Sequence, residues 1–355
     1  MEANKQNIPM LELMLRPAFC VSGGRITRIN QAAAPYLLQE GDEIASMLAT
    51  GAEEYQSFTD GCLYLTLNIG SQKLGANVIA LENCHLFMLE QTNEKAELQA
   101  LALAAKDLRE PLTGMMMNAA HFLPHTDADP VHLAQFNKRL YQMMRIISNM
   151  SDAALFTQAS PDRMEYIEVC SYLEELLQKT AEQLLSADIH LRYSLPNENI
   201  CILADGAKLE RAVYNLIANA AKHTPAGGSI QVTLVNRGRL YLSVTDQGPG
   251  IASGVKSSVF DRYLRTPSIT DGQEGIGLGM VLVRAVATLH GGTVLIDHPQ
   301  GCGTRVTMTM ELRQNSTLQF RSPILQIDYA GERDHGLQEL SEVLPASEYA
   351  PEKLH

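Results

Sequence analysis

Between Lys208 and Glu311 three short segments marked by Asn and Gly follow one another in a fixed order, and the residues around them are patterned as helix, strand, turn and helix. In the first, Ala207 to His223, the apolar residues Leu209, Ala212, Val213, Leu216, Ile217 and Ala220 recur at the spacing of an amphipathic helix. Arg211, Asn215, Asn219 and Lys222 fall three or four residues apart on its other side, so two amide oxygens and two cations are expected to point the same way. Mg²⁺ takes hard oxygen ligands and keeps much of its water, so an Asn oxygen and phosphate oxygens would suffice for it, with Lys222 as a point charge. Taken alone, the same pattern also describes a solvated helix face.

In the second segment Leu240 to Val244 alternates as a strand and runs into Asp246-Gln247-Gly248-Pro249-Gly250. A carboxylate at a strand end can accept from an exocyclic amine, and the glycines let the backbone turn beside a flat base. The third, Gly275-Ile276-Gly277-Leu278-Gly279, precedes a helical run from Met280 to Leu289. Glycines at a helix start let free backbone N–H groups close on phosphate. Singly, these two segments also read as an ordinary turn and a flexible loop.

Together they decide more. Asn215 and Asn219, the Asp246-x-Gly248-x-Gly250 turn, Phe260-Asp261-Arg262, the Gly275-x-Gly277-x-Gly279 run, His290-Gly291-Gly292 and Gly301-Cys302-Gly303-Thr304 stand in an order that resembles the ATP-binding domain of sensor histidine kinases, within the wider GHKL ATPase group. The resemblance implies an α/β-sandwich over residues 161–312 with ATP and Mg²⁺ as cofactors. It implies Asn219 as the metal ligand with Asn215 beside it, Lys222 on phosphate, and Asp246 on the adenine amine. It further implies Gly248 and Gly250 at the base, Gly275, Gly277 and Gly279 as the phosphate-side backbone, and Thr304 supporting the adenine end. Ile251 to Glu274 would form a lid anchored by Phe260.

At 355 residues the chain allows two or three domains, and 45% hydrophobic with 19% charged residues is ordinary globular composition. A formal net charge of −12 without a Lys/Arg stripe argues against a nucleic-acid surface. No apolar run approaches a spanning helix and the N-terminus lacks a basic-then-apolar leader pattern, so a cytoplasmic protein is expected. The six cysteines lack metal-ligand spacing, which predicts reduced, mostly buried thiols and no metal besides Mg²⁺.

Residues 8–92 read as a small α/β unit with strands at Ala18 to Val21, Ile26 to Ile29, Cys62 to Ile69, Ala76 to Leu81 and Leu86 to Leu89, and a helix opening at Asn30. This order resembles the PAS sensor fold. Residues 93–160 carry two heptad seams, Leu98, Leu101, Ala105, Leu108, Leu112, Met115, Ala119 and Phe122, then Leu133, Phe136, Leu140, Met143, Ile147, Met150 and Ala154. They predict an antiparallel helical hairpin, and a hairpin with two apolar stripes is covered economically by a second copy in a four-helix bundle. It resembles the dimerisation hairpin of histidine kinases, which implies a homodimer through 93–160 and a response regulator or another kinase as partner.

The hairpin departs from the family at Ala105, Lys106 and Glu110. Active members read Ser-His-Glu-Leu-Arg-Thr-Pro-Leu where this chain has Ala105-Lys106-Asp107-Leu108-Arg109-Glu110-Pro111-Leu112. Lys106 stands at the phosphoacceptor position; an ammonium has no lone pair, whereas neutral imidazole offers a nucleophilic nitrogen. Asp107 keeps the neighbouring acid and Glu110 replaces the family's Thr. The resemblance therefore implies Mg-ATP binding with degenerate autophosphorylation, or an active kinase using another acceptor, or a scaffolding dimer with a relic site. His121 and His125 lie too far along the helix for the same docking. The tail, 313–355, is expected to be a strap on its own domain or a docking segment.

Overall fold

The computed structural model describes residues 11–12, 14–90, 103–116, 129–155, 164–250, 278–299, 303–312 and 334–354. Strands β1 (Ala18–Ser22) and β2 (Arg25–Ile29) form a hairpin, followed by a 3₁₀ turn over Gln31–Tyr36. The Asn30 side chain accepts from Ala33 N at 3.1 Å and from Ala18 N at 3.0 Å, which both caps the turn and ties it to β1. Two short helices, α1 (Ile44–Met47) and α2 (Ala52–Ser57), lead to β3 (Cys62–Ile69), β4 (Gln72–Ala80) and β5 (His85–Leu89). The core between them, built on Phe19, Leu63, Leu65, Leu67 and Phe87, is fully buried.

Helix α3 covers residues 103–116 and α4 is Pro130–Leu155. Then come β6 (Glu165–Glu168), α5 (Val169–Leu185), β7 (His190–Ser194), β8 (Cys201–Ala204), α6 (Gly206–His223), β9 (Ser229–Asn236), β10 (Arg239–Thr245), α7 (Gly279–Leu289), β11 (Val294–Asp297), β12 (Arg305–Glu311) and α8 (His335–Glu339). Glu168 caps α5 by accepting from Cys170 N and Ser171 N, and Asp205 caps α6 by accepting from Lys208 N. Strand β6 pairs with β8 in a separate two-stranded sheet, so β8 is not in the main sheet.

The principal finding is that both halves of the chain share one sheet of ten strands, ordered β2-β1-β5-β4-β3-β11-β12-β10-β9-β7. Among the described residues only β7 and β9 pair in parallel. The seam is the antiparallel pairing of β3 with β11, with Val294 opposite Tyr64, Leu295 opposite Leu63 and Ile296 opposite Cys62. Side chains alternate across a strand. Cys62 and Tyr64 therefore enter the core beneath α6 and α7, while Leu63, Leu65 and Leu67 enter the N-terminal core. Arg284 of α7 fastens the seam with Nη2 2.7 Å from Glu90 Oε1 and its guanidinium 4.8 Å from the Tyr64 ring centre. Burial, then Glu90, pushes the Tyr64 phenol well up, which keeps it neutral in this contact.

The expected hairpin seams divide. Ala105, Leu112, Leu140, Ile147 and Met150 are buried in the large core of this chain. Leu108, Met115, Phe136 and Met143 remain 50, 52, 43 and 47% exposed. The reason is that α4 packs on α7 and on the C-terminal segment, which consumes one side of it. Residues 117–128, with His121 and His125, lie outside the described residues. Among the described residues no helix is long and apolar enough to cross a membrane.

The seam sets a first expectation. Gly61 has φ +92°, and a Cβ there would collide with the Ile296 carbonyl. Gly61→Ala should cost on the order of 1–3 kcal/mol from backbone conformation alone. A lowered urea midpoint relative to wild type is the readout, and an unchanged midpoint would count against the seam.

Candidate nucleotide site

Helix α6 lies against the sheet with Leu209, Val213, Leu216 and Ile217 buried, as its apolar spacing requires. Its polar residues do not share one solvated face. Asn215 is fully buried; its Nδ2 donates to Arg211 O at 2.8 Å, and its Oδ1 has no hydrogen-bond partner. That oxygen faces the start of α7, where a Cβ on Gly279 would come within 2.8 Å of it and within 3.6 Å of Asn219 Nδ2. Asn219 is half-buried, one turn further. Arg211 is turned away, paired with Glu339 and with Asp152 at 3.0 Å. Lys222 lies 3.4 Å from Glu342. The expected four-residue face thus separates: Asn215 and Asn219 line the α6–α7 junction, and both cations meet carboxylates of other elements.

Asp246 follows β10 and is nearly buried. Its Oδ1 accepts from Gly248 N at 2.8 Å and Thr304 N at 3.0 Å, and its own N–H donates to Thr304 O at 2.9 Å. One oxygen is spent holding the turn, and among the described residues only that oxygen is hydrogen-bonded. Gly250 takes φ +78°, with its Cβ position 3.2 Å from the His298 ring. His298 Nδ1 lies 3.1 Å from Gly303 O. Gly303 itself takes φ +95°, and a Cβ there would strike the Asp246 carbonyl, so both features require glycine. Gly303 and His298 were not singled out as site residues from sequence; the left-handed glycine opposite Asp246 was legible only as part of the Gly301–Thr304 motif.

The far ends of α6 and α7 are joined by His290, buried after α7. Its Nδ1 sits 2.8 Å from Val286 O and its Nε2 accepts from Asp205 N at 3.3 Å, a pairing that calls for the Nδ1–H tautomer. Burial and Glu210 push the phenol of Tyr172 well up, and its hydroxyl donates to Gly206 O at 2.9 Å, closing the start of α6. Gly275, Gly277, Cys302 and the segment Ile251 to Glu274 expected to form a lid lie outside the described residues. The acceptor-position residues Lys106 and Asp107 are exposed on α3.

Residues 204–314 match the family model described as histidine kinase-, DNA gyrase B- and HSP90-like ATPase. Sensor protein kinase PmrB of Pseudomonas aeruginosa is 30% identical over 213 residues, 58% of this chain and 43% of that protein. The adaptive-response sensory kinase SasA of Parasynechococcus marenigrum is 25% identical over 252 residues, 68% of this chain and 65% of that one. Residues 204–314 therefore carry a domain of that ATPase family, and the wider chain is similar to sensor histidine kinases. Its ATP-binding domain is of GHKL type, and the chain spans less than two thirds of the length of these relatives. Among solved structures, full-length ShkA in complex with AMPPNP aligns over 60% of this chain and 45% of that one, at 21% identity and a TM-score of 0.49.

The Asp246 carboxylate has a structural duty besides any ligand. Asp246→Ala leaves the Gly248 and Thr304 N–H groups without their acceptor, at about 1–3 kcal/mol each if they stay buried. A fall in unfolding free energy of that order, measured in urea without nucleotide, is expected.

Proposed function

We propose that this chain is a histidine-kinase-type signalling dimer that binds Mg-ATP between α6, α7 and the Asp246 turn and is degenerate in autophosphorylation. In this reading residues 8–92 are a PAS-type input unit, 93–160 the dimerisation hairpin, 161–312 the ATP-binding domain and 313–355 a tail.

The observation that carries it is the oriented Asp246 carboxylate. Two backbone N–H groups hold one oxygen, and the other is left to accept from an adenine amine beside the glycines Gly248 and Gly250. Thr304 supports that end through its backbone. At the opposite end the residues fit a metal-phosphate group: Asn215 Oδ1 is a buried acceptor without a partner, and Gly279 leaves a space that a side chain would fill. Asn219 would then be the Mg²⁺ ligand with Asn215 behind it, Lys222 would meet phosphate, and Gly275, Gly277 and Gly279 would give backbone N–H groups. Bound Mg-ATP supplies an activated phosphoryl group; what this chain's residues do is bind it, orient it and exclude water. Lys106 offers no neutral imidazole to receive phosphate.

Mg-ATP should raise the melting temperature of the wild type, because a ligand selective for the folded state stabilises it. Asp246→Asn retains an oxygen for Gly248 and Thr304 but presents an NH₂ to the adenine amine, so it should fold and lose the shift. No shift in the wild type at millimolar nucleotide would favour a relic site. With γ-labelled ATP, the wild type should take no stable label and Lys106→His should gain some; acid-labile label on the wild type would mark an active kinase with another acceptor.

The exposed half of the hairpin supports the dimer. Leu108 and Phe136 lie on it, so Leu108→Asp with Phe136→Asp should give monomers, because a dimer would bury unpaired charge. Leu140 is unsuitable for this purpose, being buried within the chain. A single-chain mass for the wild type at micromolar concentration in light scattering would defeat the dimer.

A further inference from the structure

Residues 334–354 cross from α5 and α6 of the ATP-binding layer to α4 of the hairpin and are built into the fold. Leu337, Leu340, Leu344 and Tyr349 are buried in the large core. The Tyr349 ring meets Tyr141 edge-on at 5.2 Å, and its hydroxyl donates to Leu337 O at 2.7 Å. Helix α4 supplies donors to the segment's carbonyls: Asn137 Nδ2 to Tyr349 O at 3.0 Å, Lys138 Nζ to Leu344 O at 2.6 Å and Gln142 Nε2 to Ser341 O at 3.1 Å. These bonds settle the choice between strap and free docking segment: these residues are a strap.

The strap has an acidic edge, and that edge is spent on the cations of α4 and α6. Glu339, 1% exposed, lies between Arg211, which it pairs with directly, and Arg145, whose Nε is 3.6 Å away. Glu342 takes Arg145 Nη1 at 2.6 Å with one oxygen and sits 3.4 Å from Lys222 Nζ with the other. Asp152 of α4 completes the set with Arg211 at 3.0 Å. Two arginines and a lysine thus face three carboxylates. A buried carboxylate between two guanidiniums is costly to break on one side only, so the Glu339 part fixes the strap in place. The Glu342–Lys222 part is different, since both side chains keep contact with water. A carboxylate and a phosphate are rival anions for one ammonium.

We propose that the strap is a built-in competitor of the nucleotide: Glu342 engages Lys222, the cation that a nucleotide phosphate would otherwise recruit, while Glu339, Arg145 and Arg211 lock the hairpin helix α4 to α6. The inference rests on the nucleotide-site reading above. Binding of Mg-ATP then exchanges one anion for another at Lys222, and anything that lifts the strap raises affinity for nucleotide.

The test compares the dissociation constant of Mg-ATP, by calorimetry, for the full chain as wild type, Glu342→Gln and Tyr349→Ala. Glu342→Gln keeps the shape and removes the charge, and Tyr349→Ala loosens the strap from a position remote from Lys222. Both are expected to bind more tightly, Glu342→Gln by about two- to fivefold, the scale of a partly exposed ion pair. A merely structural strap would leave affinity unchanged or weaken it in both variants, and either result overturns the proposal. Binding by the variants but not by the wild type would support it most strongly. Tight wild-type binding that Glu342→Gln does not improve would sink the competitor while sparing the nucleotide site; absence of binding in all three proteins would sink both.

Discussion

The two halves of the chain become one sheet through the pairing of β3 with β11. A strand at a sheet edge presents a row of unpaired N–H and C=O groups that must be covered or paired. Here β11, with β12 on one side, would be such an edge, and β3, with β4 on one side, would be another. Pairing them satisfies both at once and turns two sheets into one of ten strands. The Arg284 guanidinium, held by Glu90 and lying over Tyr64, then closes the contact on the side of α7. Because α7 begins at Gly279 against Asn215, the helix that borders the candidate nucleotide site is also the helix bolted to the N-terminal unit.

Local structure was largely legible in the sequence. Alternation places β3 and β10, apolar spacing places α6, and the Asp246 turn and Gly279 stand where the glycine motifs put them. What was not legible were pairings between distant segments. Nothing in the periodicity of Cys62 to Ile69 or Val294 to Asp297 says that each is the other's neighbour, since any two alternating strands satisfy the same pattern. The strap is a similar case: Leu337 to Leu344 reads as amphipathic, but the surface it covers is defined by Asn137, Gln142 and Arg145, roughly two hundred residues earlier.

Asn215 illustrates a different limit. Helical spacing groups it with Arg211, Asn219 and Lys222, and a helical wheel assigns all four to water. The α7 start covers part of that face, so an amide oxygen ends inside the protein beneath a glycine, and the cations turn outward to the strap and the hairpin. A polar residue in a helix pattern reports a departure from the core, but whether another helix closes over it depends on tertiary packing.

The alternation along β3 has one last consequence. Because Cys62 and Tyr64 serve one core while Leu63, Leu65 and Leu67 serve the other, this strand is a party wall between two interiors. A shift of pairing by a single residue would send every side chain to the wrong room, emptying both cores together and pulling Tyr64 from beneath Arg284. Length changes in the turn before Cys62 are thus constrained by two cores at once, so a lineage that lengthened it would have to preserve the register on both sides of the wall.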